Sequence, residues 1–284
     1  MPKRISFGRR VLGWSSLGFV CWPLMAAGQG SPAVCNLLLP RMRQSHIPDV
    51  ALVSFAGTKV QTYFCTTTAQ PLSPAAIFEA ASLSKPVFAA AVLTLVQQGK
   101  LDLDRPLASY LSGPYRHQQN PFGQGATDTV TDPRFNRITG RMVLSHTSGL
   151  PNWSRRQPLT LLADPGSKWS YSGEGYVYLQ RVVETITGEP LRIFVQAAVL
   201  TPLHMDHSSF VWKPEFAAIA LPPHTADGTA EEPAHYAKAV ASSTLYTTLD
   251  DYAKFVTALL HPPPGSPFAL EEVFAGCGQR QHKN

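Results

Sequence analysis

The amino-acid sequence predicts a mixed α/β (α+β) fold: an antiparallel sheet flanked by helices, with a mainly helical lobe beside it. Three observations carry that expectation. Val50-Ala51-Leu52-Val53-Ser54-Phe55 and Lys59-Val60-Gln61-Thr62-Tyr63-Phe64-Cys65 are β-rich runs separated by Ala56-Gly57-Thr58, the pattern of an antiparallel hairpin. Val87 to Gln98 is apolar on nearly every side and stops at Gly99, so it reads as a helix inside a protein and not on its surface. From Arg141 onward the chain is a succession of shorter helical patterns.

Taken in order, Asn36 to Gln44 has the composition of a short helix, with Pro40 limiting it to fraying turns or a late start. The hairpin and the buried helix follow. Leu101 to Arg141 is loop-rich, punctuated by Pro106, Gly113, Pro114, Pro121, Gly123, Gly125 and Pro133. Helical patterns then cover Arg141 to His146, Glu174 to Thr187 and Leu191 to Leu200, with Gly149 and Gly188 as stops for the first two. A last helix runs from Leu249 to Leu260, carries Tyr252, Phe255, Val256 and Leu259 on one face, and ends at Pro262-Pro263-Pro264-Gly265. No internal repeat or low-complexity tract occurs, and no strand pattern follows the helical section to close the sheet.

A length of 284 residues suits one large domain or two lobes sharing a core, and 44% hydrophobic with 15% charged residues is the balance of a folded protein. The formal charge of +5 invites a nucleic-acid reading, but Lys3, Arg4, Arg9 and Arg10 supply most of it. Without the first 30 residues Lys+Arg falls from 24 to 20 against 19 acids, a balance of +1. No clustered basic face remains to neutralise a phosphate backbone, which excludes nucleic acid as a partner.

Residues 1–28 read as a signal peptide ahead of a domain spanning 29–284: a basic start, an apolar run from Val11 to Met25, then the small residues Ala26, Ala27 and Gly28. Gly13, Gly18 and Pro23 interrupt the run, which argues against a stable membrane span, although an uncleaved anchor stays open. Arg9-Arg10-Val11-Leu12 resembles a twin-arginine export signal, leaving the export route open, and Cys21 lacks a convincing lipobox. The expected location is the periplasm or the medium. There Cys35 and Cys65 are expected to pair, with Cys277 left over. No Cys-x-x-Cys or His-rich spacing suggests a metal, and no cofactor is implied.

The chemistry-bearing segment is Ser82-Leu83-Ser84-Lys85, the only Ser-x-x-Lys in the chain. It opens the buried helix, with Pro86 in the first turn where a missing N–H costs little. Residues three apart share a helix face, so the Lys85 amine can reach the Ser82 hydroxyl. The helix N-terminus adds unpaired N–H groups and a positive dipole end, a field suited to an alkoxide nucleophile and a general-base lysine. By itself the pattern also fits an N-cap serine followed by a surface lysine.

Phe78-Glu79-Ala80-Ala81-Ser82-Leu83-Ser84-Lys85-Pro86 resembles the nucleophile segment of the serine β-lactamase and penicillin-binding-protein superfamily, in particular class C β-lactamases and their esterase and D-alanyl-D-alanine carboxypeptidase relatives. Leu144-Ser145-His146-Thr147-Ser148-Gly149-Leu150-Pro151, Pro165-Gly166-Ser167-Lys168-Trp169-Ser170-Tyr171-Ser172 and Pro202-Leu203-His204-Met205 resemble further segments of it, in the same order. The match covers about residues 36 to 260. The resemblance implies a β-lactamase/transpeptidase-like fold and acyl transfer through a Ser82 acyl-enzyme. It gives Lys85 and Tyr171 the handling of the proton, Tyr171 matching the tyrosine of a Tyr-x-Asn motif. Gly173 stands at that motif's asparagine, a substrate-binding position. Losing the carboxamide favours a carboxylic ester over an amide, a β-lactam or a peptidoglycan-like substrate. His146 and Ser148 are expected to be structural, forming a helix end closed by Gly149, and Glu174 to be a solvated helix-start acid.

The superfamily's third motif, Lys-Thr-Gly or His-x-Gly on the strand beside the nucleophile, has no counterpart after Leu260. The expectation is therefore a fold lacking its closing C-terminal strands, with an uncovered sheet edge and one oxyanion donor fewer. The hydrolase is then weak or inactive; the competing reading is a non-catalytic, truncated remnant or ligand-binding homologue, and a further one is a β-lactamase or D-alanyl-D-alanine carboxypeptidase.

The targeting segment generates a test. Protein recovered from the periplasm or medium of an expressing bacterium is expected to have an intact mass corresponding to cleavage near Ala27. A full-length mass confined to the membrane fraction overturns the expectation.

Overall fold

The computed structural model describes residues 28–268 except 30, 58, 263–265 and 267. The expected targeting segment to residue 27, Cys21, Cys277 and the tail searched for a third motif lie outside the described residues. Among the described residues no helix is long and apolar enough to cross a membrane.

The predicted hairpin forms. β2 (Asp49–Ala56) and β3 (Lys59–Thr66) run antiparallel in unbroken register from Ala56↔Lys59 to Asp49↔Thr66. Gly57 lies at the connection with φ +58°, a conformation that Cβ-bearing residues adopt at a cost. A two-residue strand, β1 (Gly28–Gln29), adds in parallel to β3, which places β3 in the middle of the sheet. α1 (Pro32–Gln44) packs on β3. It starts four residues before the predicted Asn36, because Ser31 caps it and Pro32 sits at its first position. Pro40, expected to limit this helix to fraying turns or a late start, lies inside it; its missing N–H removes one bond without ending the helix. Cys35 on α1 and Cys65 on β3 form the expected disulfide.

The buried helix, α2 (Ser84–Gln97), is the centre of the larger core. Val87, Phe88, Ala90, Ala91, Val92, Leu93 and Leu95 are all inaccessible or nearly so. Gly99, φ +66°, ends it as predicted. α4 (Gly173–Thr187) and α5 (Leu191–Val195) complete the helical layer around the same core. The predicted helix from Leu191 to Leu200 divides at Gln196, where the backbone widens into a π turn. α4 begins at the Ser172 cap, whose hydroxyl accepts the Gly175 N–H at 2.9 Å, and ends at the left-handed Gly188, φ +71°.

Two strand pairs escaped the sequence reading because each strand is only three or four residues long. β4 (Phe78–Ala81) runs antiparallel to β7 (Leu245–Thr247) with a register shift between Glu79 and Ala81. The supposed loop from Leu101 to Arg141 contains a hairpin of β5 (Arg116–Gln118) and β6 (Thr127–Thr129). α6 (Leu249–Leu260) has the predicted bounds, capped by Thr248, and packs against β2, the edge strand of its sheet among the described residues.

α3 (Gly140–Leu144) corrects the predicted stop at Gly149. His146, φ +57°, takes the left-handed position: its N–H bonds the Val143 carbonyl at 3.0 Å and the Thr147 N–H bonds Met142 at 2.7 Å. Gly149, φ +77°, is needed for a different reason, since a Cβ there would lie 2.3 Å from the Ala163 carbonyl oxygen.

The bridge closes a separation of 30 residues and ties α1 to the sheet's central strand. In the chain-entropy account such a loop is worth about 3–4 kcal/mol. Cys35→Ser with Cys65→Ser is expected to lower the melting temperature by several degrees in non-reducing buffer; an unchanged melting temperature would contradict this.

Candidate active site

Ser82 sits between β4 and α2, at a sharp change of chain direction. Ala81 has φ +43°, a left-handed backbone at a residue carrying a Cβ, which costs free energy and must be imposed by its surroundings. Ser84 imposes it. Its buried hydroxyl donates to the Ala81 carbonyl at 2.6 Å and accepts the Leu245 N–H of β7 at 2.9 Å, so one side chain joins β4, α2 and β7. Leu83 is anchored from another side by the Tyr252 hydroxyl of α6, 3.3 Å from its carbonyl. The result leaves Ser82 exposed, with no acceptor on its N–H among the described residues.

Lys85 is 4% exposed, and its Nζ donates to Ser82 Oγ at 3.2 Å and to the Ser242 carbonyl at 2.8 Å. It also lies over the rings of Tyr171 and Tyr176, 4.7 and 5.7 Å from their centroids. No carboxylate pairs with it among the described residues. The Ser242 segment is held in turn by Gln180 of α4, which bonds the Ala239 carbonyl at 3.0 Å and the Ala241 N–H at 2.8 Å.

Ser82, Lys85 and Tyr171 are thus brought together, Tyr171 meeting Lys85 through its ring face. No hydrogen bond joins Lys85 Nζ to the Tyr171 hydroxyl among the described residues. Behind Tyr171 stands His146, ring centroids 4.5 Å apart, its Nδ1 accepting the Ser172 N–H at 3.1 Å. Burial, and then the nearby Lys85 charge, push the His146 pKa down to about 4, so the ring is neutral near pH 7 and braces the tyrosine. Ser148 is buried and bonded to the Leu150 N–H, the structural role expected of it.

Gly173 is a place of close approach. Its N–H meets both oxygens of Asn152 at 3.1 Å, and a Cβ there would lie 2.7 Å from the Asn152 carbonyl and 3.1 Å from Trp153. The space a side chain at 173 would enter is filled by Asn152 and Trp153, and Asn152 carries an exposed carboxamide beside it. Glu174, expected to be solvated, is 1% exposed and lies 3.3 Å from His117 Nε2, on whose other side Asp128 sits at 2.8 Å. Ser84, Tyr176, Ser242 and this carboxylate–histidine cluster were missed by the sequence reading. Ser242 contributes only a carbonyl, and the others carry no spacing that marks them. No group of side chains able to hold a metal occurs among the described residues.

The sequence model of the Beta-lactamase family matches residues 35–275. The chain belongs to the Beta-lactamase family. Its fold matches the crystal structure of a class C β-lactamase with a TM-score of 0.68 at 19% identity, covering 84% of this chain and 67% of that one. D-alanine carboxypeptidase AmpC from Burkholderia cenocepacia matches with the same TM-score and 19% identity over 85% of this chain and 69% of that one. Protein flp of Staphylococcus aureus is 23% identical over 269 residues, 86% of this chain and 50% of its own length. The chain spans about half the length of the curated relatives it matches. Membership of the Beta-lactamase family makes this chain part of a serine hydrolase superfamily.

Restoring an asparagine at position 173 is expected to damage this protein. Gly173→Asn forces a Cβ against the Asn152 backbone and is expected to cost about 1–3 kcal/mol, read as a lower urea midpoint. An unchanged midpoint would mean that the Asn152–Trp153 segment yields freely.

Proposed function

We propose that the protein is an exported serine hydrolase that cleaves a carboxylic ester through an acyl-enzyme on Ser82. The observation that carries the reading is the 3.2 Å contact between Lys85 Nζ and Ser82 Oγ at the N-terminus of a buried helix. In the deprotonated state Lys85 accepts the Ser82 proton as Oγ attacks the ester carbonyl, and the Ser82 N–H donates to the developing oxyanion. Collapse of the tetrahedral intermediate expels the alcohol, which takes up the proton through Tyr171. Water then attacks the acyl-enzyme by the same route, giving acid, alcohol and free Ser82. No metal or cofactor takes part.

Gly173 and its packing support an ester over a β-lactam or peptidoglycan-like amide, because the motif position next to Tyr171 offers no side-chain carboxamide. The Cys35–Cys65 bridge supports an oxidising compartment, hence export to the periplasm or medium.

Purified protein incubated with a fluorophosphonate is expected to carry one adduct, on Ser82 by peptide mass spectrometry, and to hydrolyse a p-nitrophenyl ester faster than a fluorescent penicillin acylates it. Ser82→Ala is expected to abolish both reactions, and Lys85→Ala to slow them by about 100-fold or more. An adduct surviving in Ser82→Ala, or faster reaction with the penicillin, overturns the reading.

A further inference from the structure

Outside the reacting groups, the described residues contain a cluster of three titratable side chains in which His117 and Glu174 are buried and Asp128 is partly exposed. His117 on β5 is 0% exposed, with Asp128 Oδ1 at 2.8 Å from Nδ1 and Glu174 Oε2 at 3.3 Å from Nε2. The Glu174 contact is an ion pair with poor hydrogen-bond alignment, so charge and not direction holds it. Each carboxylate uses its other oxygen on a backbone N–H: Glu174 on Ser154 at 2.8 Å, Asp128 on Leu159 at 3.0 Å. The cluster therefore grips both ends of the loop from Ser154 to Leu159.

That loop needs gripping. Ser154 to Gln157 form a turn closed by the Gln157 N–H on the Ser154 carbonyl at 3.1 Å, with Arg155 and Arg156 at φ +54° and +62°. Two successive left-handed residues, both with long side chains, are unfavourable and must be held from outside. Just before the turn, the Asn152 carbonyl accepts the N–H groups of Gly173 and Glu174, so the loop lies on the start of α4. Tyr171 is three residues before Glu174, on the segment that this packing fixes against Lys85.

We propose that Asp128, His117 and Glu174 form a positioning clamp in which protonated His117 locks the Ser154–Leu159 loop and the Tyr171 segment into their active arrangement. His117 touches no reacting atom; it acts through Glu174. Without its positive charge buried Glu174 and partly exposed Asp128 face each other across the ring with no cation between them, and the loop they hold is released. Tyr115, immediately before β5, has its ring centroid 6.4 Å from that of His117, Gln119 donates to Asp128 at 3.3 Å, and Tyr178 and Arg181 of α4 act on Tyr115. Burial holds both tyrosine hydroxyls in their neutral form well above the usual range, so neither titrates before His117.

The direction of the pH effect follows. Burial opposes the His117 charge, but the close contact with Glu174, the hydrogen bond to Asp128 and the charges of both carboxylates outweigh it, and the folded-state pKa is raised above 6.5. The clamp's contribution is complete below about pH 6.5 and is lost as pH rises through the folded value. His146, with its pKa of about 4, stays neutral throughout that range and does not contribute to the change.

The proposal rests on the Ser82 hydrolase reading only where it names Tyr171, and the test separates the two. The full chain carries 5-fluorotryptophan, with Trp153→Phe assigning the Trp153 resonance next to Ser154. From pH 6 to 10, that signal and kcat for a p-nitrophenyl ester are expected to change together. Glu174→Gln keeps the shape of the side chain, removes one carboxylate, and is expected to move both transitions down by about one pH unit. His117→Gln at pH 6.5 is expected to lower kcat about 10- to 100-fold with KM little changed. His117→Gln with Glu174→Gln, one buried carboxylate fewer, is expected to recover part of the loss in melting temperature and kcat. A Trp153 signal insensitive to pH, or identical transitions in wild type and Glu174→Gln, overturns the clamp, as does a kcat profile that ignores a moving Trp153. Absence of any fluorophosphonate adduct on Ser82 sinks the hydrolase reading instead, and the clamp is then decided by the Trp153 signal alone.

Discussion

A buried lysine amine that has no carboxylate partner among the described residues is the constraint around which the molecule is arranged. Lys85 has to find its acceptors in a nearly dry interior, and it takes them from a serine hydroxyl, one peptide carbonyl and two aromatic faces. Each belongs to a different part of the chain: the β4–α2 turn, the segment before β7, and the lead-in and first turn of α4. Losing any one would leave a buried polar group undersatisfied, which is costly in a low-dielectric setting. Lys85 lies in the first turn of α2, whose apolar residues fill the middle of the larger core.

Free energy is spent locally to present Ser82. Ala81 is left-handed although it has a Cβ, and Ser84 compensates with two hydrogen bonds that also stitch β7 to the turn. The same economy recurs at helix ends. His46, His146 and His204 all take left-handed positions after helical turns, with paired N–H bonds to the preceding carbonyls. At His146 the imidazole is then used a second time, because its ring backs Tyr171 and its Nδ1 holds Ser172. A glycine there would close the helix more cheaply but would leave the tyrosine without a wall.

The buried ions divide into two kinds. Lys85 is a lone group facing neutral acceptors, and its surroundings come from short connections next to reacting atoms. His117 is a cation between two carboxylates, and its surroundings bind elements far apart in sequence, from β5 and β6 to the start of α4. A charge triad of this sort contributes little net stability compared with an apolar core of equal volume. It does fix geometry, since each member has one acceptable place.

Much of this was legible in the residues alone. The hairpin, the buried helix and α6 follow from alternation, uniform apolarity and a strong cap, all local signals that packing does not overturn. Ser82 and Lys85 follow from helical spacing, and Tyr171 came from the resemblance to the family. What tertiary structure alone decided is everything that depends on groups distant in sequence or on backbone atoms. Ser242 contributes a carbonyl, which every residue has, so no pattern could single it out. Strands of three residues, such as β5 and β7, carry too little alternation to register and exist because a partner supplies their hydrogen bonds. Glu174 is the clearest case: a helix-start acid by sequence, it is buried because His117, 57 positions earlier, arrives at its side by folding. A residue's type and neighbours set what it can do, while its charge, partners and exposure are settled by which distant surfaces the fold brings against it.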